Sequence, residues 1–190
     1  MEQVHALQDA IKVEQKSTGT FEVPYFDPIS HKKVRDALIA LGTTIPDTRH
    51  MFGGRSDVDQ IRHLIGSAIL WGGLPEKEGL YLNVTPDIND GATVYKLNVQ
   101  EVPVDGFWSI TVYNSKGYLG PNQYNAYSVN NITARKNADD SAAVQFGGCD
   151  GKIPNCLPTM PGWNYMVRLF RPRAEVLNGT WKFPEAQRVN

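Results

Sequence analysis

FWSITVY, from Phe107 to Tyr113, is the stretch whose reading decides the fold. Trp108, Ile110 and Val112 alternate with Phe107, Ser109 and Thr111, a period of two that sends successive side chains to opposite sides of a strand. Aromatic and β-branched residues suit a pleated, half-buried surface, so the segment predicts a strand with one buried face. Outward from it, runs of the same composition recur at Leu80 to Thr85, Ala92 to Val99, Ala126 to Val129, Ile132 to Lys136, Ala142 to Phe146, Trp163 to Arg171 and Thr180 to Phe183. Turn residues at Asn89 to Gly91, Val102 to Gly106 and Asn137 to Ser141 separate several of them, at the ~8–12 residue spacing of a sandwich or barrel. The expectation for residues 76–190 is a mainly β domain of two packed antiparallel sheets.

Upstream the period changes. Val4, Leu7 and Ile11, then Val34, Leu38 and Leu41, recur at helical spacing, so the chain from Met1 to about Trp71 reads as helical. Gly42 would close the second helix, and a third would begin at Ser56, with Asp59 in a capping-box-like place and Val58, Ile61, Ile65 and Ala68 on one face, stopping at Gly72-Gly73. GTFEVPYFDPIS and TTIPDTRHMFGGR, between the helices, read as loops. Isolated helices below ~12–15 residues are marginal in water. Residues 1–75 are therefore expected to pack on the β-sandwich as a segment that does not fold independently.

Composition excludes several function classes. The 190 residues, 41% hydrophobic, suffice for one domain with a real core. Nineteen basic against twenty acidic residues, without long runs, give no footprint for nucleic acid. No apolar run approaches the ~20 residues that span a bilayer, so membrane insertion is not expected. The N-terminus does not read as a secretory signal. All four histidines, His5, His31, His50 and His63, lie in the helical third, which leaves the β-region without the ligands of a cupin-type centre. Neither a metal nor another cofactor is expected. PDIND with Gly91 misses the spacing of a calcium loop, and no G-x-S-x-G elbow occurs.

The two cysteines, Cys149 and Cys156 in CDGKIPNC, do not have the C-x-x-C spacing of a redox motif. Asp150-Gly151 and Pro154 favour a tight excursion that could bring them together, so the pair reads as a local disulfide, with two free thiols as the alternative. A disulfide would imply a periplasmic or secreted location; free thiols would suit the cytoplasm.

RHLIGSAILWGG, YLNVTP, VPVDGFWSITVYN, YSVNNITA and GWNYMVRLFRPR, in that order between about Arg62 and Val189, resemble the bacterial DUF1214 family. That family is found mainly as the C-terminal domain of proteins that also carry a DUF1254 domain, for which this chain shows no counterpart. The resemblance implies a jelly-roll arrangement for the β-domain and no particular chemistry. Family members often have Trp before the Leu-Pro that Cys156 precedes here, so the cysteine pair belongs to a subgroup.

Arg168 lies between Met166 and Phe170 on one face of a strand whose other face carries Tyr165, Val167 and Leu169. A charge there needs partners, because burying an unpaired guanidinium is costly. The plainer reading is a structural arginine holding carbonyls or an aspartate; the other is an anchor for an anionic or hydroxylated ligand. Tyr113, Asn114, Tyr127, Asn130 and Asn131, with Tyr118 and Tyr124 nearby, add neutral amides beside aromatic faces, which suits a polyol or sugar. Asn is also the common residue of turns. The expected function is a module that binds a small hydroxylated, carbohydrate-like ligand or a partner protein. The alternative is a metal-independent hydrolase or lyase, with carboxylate, Tyr and Arg groups, Asp47 and Arg49 among them, in a pocket between the sandwich and the helices.

Overall fold

A computed structural model describes residues 2–70 and 72–189; Met1 and Trp71, the bounds of the expected helical third, and Asn190, the end of the expected β-domain, lie outside them. The chain divides into two compact units, Met1–Lys33 and Val34–Asn190. The first holds helix α1 (Glu2–Asp9) and the start of α2 (Pro28–Gly42), joined by an extended segment in which Phe21 and Tyr25 are almost fully exposed.

The second unit opens with the rest of α2 and with α3 (Gln60–Ile69). Asp59 caps α3 directly: its carboxylate accepts the backbone N–H groups of Ile61 and Arg62. This satisfies two of the donors a helix start leaves unpaired, and it places the start at Gln60 where the sequence suggested Ser56. Ile65 and Gly66 are buried, whereas Ile61, expected beside Ile65, is exposed.

The β-strands are β1 (Gly79–Val84), β2 (Tyr95–Val99), β3 (Trp108–Tyr113), β4 (Ser128–Asn130), β5 (Ala142–Phe146), β6 (Cys156–Leu157), β7 (Asn164–Phe170) and β8 (Gln187–Arg188), with a one-turn helix, α4 (Ala174–Leu177), after β7. They form two four-stranded sheets, β1-β7-β3-β4 and β6-β5-β2-β8. The fold is mostly β, as expected. Leu80, Ile110, Val167 and Leu169 from the first sheet meet Leu97, Val99, Val144 and Phe146 from the second in one core. At its centre Phe146 stacks on Trp163 and Tyr165, with ring centroids 5.3 and 4.8 Å away.

Four expectations change. Ile132–Lys136 is not a strand, because the Asn130 side chain accepts the N–H groups of Ile132 and Thr133 and turns the chain. Thr180–Phe183 is irregular, and the last strand comes later, at Gln187–Arg188. The run expected from Ala92 starts pairing only at Tyr95, since Asp90 takes the Ala92 and Thr93 N–H groups into a turn. Finally, the pairing is antiparallel everywhere except between β5 and β6, which run parallel: Gln145 lies opposite Cys156 and Phe146 opposite Leu157. A parallel return normally takes a dozen or more residues. Here residues 147–155 suffice because Gly147, Gly148, Gly151 and Asn155 all adopt positive φ, which lets the chain reverse twice in a short span. Cys149 and Cys156 close this loop as a disulfide, with Cα atoms 5.7 Å apart, in agreement with the sequence reading.

Candidate functional site

The FWSITVY strand buries both of its faces. Ser109 and Thr111 are each only 8% exposed, although they point away from the core that holds Trp108, Ile110 and Val112. Thr111 is one partner of the Arg168 side chain. Residues directly opposite in an antiparallel pair share a face, so Tyr81, Arg168, Ser109 and Asn130 form one row across the first sheet, and Asn83, Met166, Thr111 and Ser128 form the next. From the first row the Arg168 side chain reaches across the second. Its Nη1 donates to Thr111 Oγ1 at 3.1 Å and its Nη2 to the Tyr113 hydroxyl at 2.6 Å, with the guanidinium carbon 5.8 Å from the Tyr113 ring centre. Arg168 therefore holds hydroxyls, where a carbonyl or an aspartate was the structural expectation.

At the other end of the same face Phe170, two residues beyond Arg168, stacks on Phe107 with centroids 4.5 Å apart and meets Tyr81 edge-on. Phe107 is 38% exposed, so one ring of the pair is open to solvent. Burial raises the Tyr81 pKa, with the charge of Arg168 acting in the opposite direction. The Tyr81 hydroxyl therefore remains protonated at neutral pH.

The other expected site residues are distributed differently. Tyr113 joins Arg168, as described. Asn114, the next residue, uses its side-chain oxygen to accept the Lys116 and Tyr118 N–H groups, a turn role. Asn130 shares the Arg168 row, with its amide oxygen committed to the turn at Ile132 and Thr133. Tyr127 directs its hydroxyl to Asn125 at 3.5 Å, and the Asn131 amide oxygen is buried without a partner among the described residues, which also show no bond from either to the Arg168 group. Thr111, Phe107 and Phe170 were not singled out from sequence. The signal for them was present in the alternation of FWSITVY and YMVRLF, which puts them on the Arg168 face once the two strands are paired in register.

Asp47 and Arg49, candidates for the catalytic alternative, pair with each other. Asp47 also meets Arg62 at 3.4 Å, and Arg49 donates to the Val176 carbonyl at 2.8 Å. This set ties the loop before α3 to the end of α4, while Thr48 accepts the Tyr81 N–H at the edge of β1. Among the described residues no carboxylate forms an ion pair with Arg168, and no group of three or more His, Cys, Asp or Glu side chains could hold a metal ion. A separate cleft of about 410 Å³ lies between β4 and the disulfide loop, lined by Tyr124, Val129, Ile153 and Asn155 with both cysteines. Its polar groups are largely engaged: the Tyr124 hydroxyl donates to the Cys149 carbonyl, and Asn155 bonds Arg135 and Ala143.

A family model described as a protein of unknown function, DUF1214, matches residues 78–174, which run from just before β1 to the start of α4. The chain belongs to the DUF1214 family. The crystal structure of the VPA0106 protein from Vibrio parahaemolyticus is similar to this DUF1214 chain with a TM-score of 0.63 and 21% identity, over 88% of this chain and 47% of that one. That likeness supports the fold, and it means that the chain spans about half the length of the Vibrio protein. An uncharacterized protein from Burkholderia cenocepacia matches with a TM-score of 0.48 and 20% identity, over 62% of this chain and 31% of that one. No curated protein matches the chain. Among the described residues no helix is long and apolar enough to cross a membrane.

Proposed function

We propose that this DUF1214 domain is a binding module whose first sheet presents its outer face to a small hydroxylated, carbohydrate-like ligand. The observation that carries the reading is the pairing of two surfaces on one face. The Arg168 guanidinium is held in place by the neutral hydroxyls of Thr111 and Tyr113, and the open Phe107 ring lies along the same strands. Sugar recognition needs both components: an apolar ring against which CH groups pack, and fixed polar groups that orient hydroxyls. Among the described residues no carboxylate is ion-paired with Arg168, which supports the binding reading over an acid–base pair at this face.

The test is thermal unfolding of the full chain with a panel of neutral and acidic mono- and disaccharides. A ligand at 100 times its Kd raises stability by about 2.7 kcal/mol. At least one sugar is expected to raise the Tm of the native protein, and Phe107→Ala is expected to abolish the shift without lowering the ligand-free Tm by more than a few degrees. A panel without any shift would refute the reading.

A further inference from the structure

We propose that the ligand of the Arg168 face is an acid: a sugar acid or similar hydroxy acid whose carboxylate meets the guanidinium. The inference rests on the binding reading above and names the chemistry of its ligand. A guanidinium carries five N–H donors, and Arg168 spends two on the hydroxyls of Thr111 and Tyr113. Those two bonds fix the group without neutralising it. The contrast with other arginines is direct: Arg49 and Arg62 share Asp47, and Arg173 has Asp105 at 2.7 Å. Among the described residues Arg168 has only neutral partners.

The rest of the face agrees. Its polar positions, including Asn83, Ser109, Thr111, Ser128, Asn130 and Asn164, are uncharged, so an incoming carboxylate meets one cation and no competing anion from these strands. A half-buried cation held by dipoles alone is costly to maintain, and a carboxylate relieves that cost through charge-assisted bonds about twice as strong as neutral ones. A single cation also suits a monoanion better than a phosphate dianion. The guanidinium sits beside Thr111, four residues along the chain from Phe107, about 13 Å of strand rise and the scale of a disaccharide. A disaccharide acid anchored at the guanidinium is therefore long enough to reach the Phe107 and Phe170 rings.

The experiment titrates the full chain calorimetrically with glucuronate, galacturonate and their disaccharides, each against its own methyl ester, which keeps the frame and removes the charge. At least one acid is expected to bind tenfold or more tightly than its ester. That advantage should shrink as salt rises from tens of millimolar to about half molar, because the screening length falls from roughly 15–20 Å to about 4 Å over that range. Arg168→Gln should erase the difference, with the acid losing at least tenfold more affinity than the ester, which loses only a hydroxyl-orienting donor. Should that variant not fold, Tyr113→Phe frees one side of the guanidinium and is expected to weaken the acid three- to tenfold and the ester less than the acid. Equal affinity for every acid and its ester overturns the acid assignment and leaves the binding reading standing. No binding by any acid or ester overturns both.

Discussion

At Trp163 the indole N–H is buried and has no acceptor among the described residues, while the ring is stacked on Phe146 at the centre of the core. The two facts pull in opposite directions. An unsatisfied buried donor costs roughly 1–3 kcal/mol, whereas truncating a large core aromatic costs roughly 3–5 kcal/mol. Trp163→Phe keeps most of the stacking and deletes the orphaned donor, so denaturant melts should place it within about 1.5 kcal/mol of the native protein. Trp163→Ala should lose at least twice as much. Had the N–H been silently satisfied, the two variants would lie much closer together. Arg168 is the other instructive residue. Its position on the outward face was legible from YMVRLF alone, because the period of two fixes sidedness. Its partners were not legible, since Thr111 and Tyr113 lie more than fifty positions away and become neighbours only through the pairing of β3 with β7.

Among the elements, β5 appears in the sequence with its exact limits, because the polar turn before it and the Gly147-Gly148 pair after it are both local signals. The two-residue strand β6 was not foreseeable in the same way, since nothing in CL separates it from loop and its pairing depends on the preceding loop's positive φ angles. The disulfide closes a loop of sequence separation 7, worth about 2–3 kcal/mol on a chain-entropy estimate. Cys149→Ser, or reduction of the native protein, should therefore lower the Tm by several degrees. Both should leave ligand affinity at the Arg168 face unchanged, because that face belongs to the other sheet. A variant that melted like the native protein would overturn the chain-entropy estimate for this loop.

Turns in this molecule also carry a pH dependence. Backbone N–H bonds from Thr93 and Ala92 hold the Asp90 carboxyl below its usual range, and those from Lys152 and Ile153 do the same for Asp150; for Asp139 the Ser141 hydroxyl leads, followed by the Ser141 N–H. A folded-state pKa below the unfolded one means that the stabilisation is complete above the unfolded value, 3.8, and is lost as pH falls through the depressed values. Melts should thus be flat in this respect near neutrality and decline below about pH 4, and Asp90→Asn with Asp150→Asn should flatten that decline.

For the whole molecule, the two-sheet architecture could be inferred from the spacing of β-rich runs, while the role of residues 48–66 could not. The sequence of this segment offers a loop and a helix, yet Met51 is fully buried, Thr48 bonds the edge of β1, and Arg49 reaches Val176. Those links are long-range and leave no periodic trace. A fragment comprising residues 76–190 is accordingly expected to melt well below the full chain, and one comprising residues 1–75 to show no cooperative transition by circular dichroism.

The edges of the two sheets bear on how the protein behaves when concentrated. β6 and β8 are two residues long and β4 three, and the longer outer strand β1 has its Tyr81 N–H taken by Thr48. Templated growth of one molecule's sheet onto another needs a long row of free N–H and C=O groups. Three of the four edges are too short to offer such a row, and on β1 the Thr48 hydroxyl already occupies one of the N–H groups that strand-by-strand polymerisation would need.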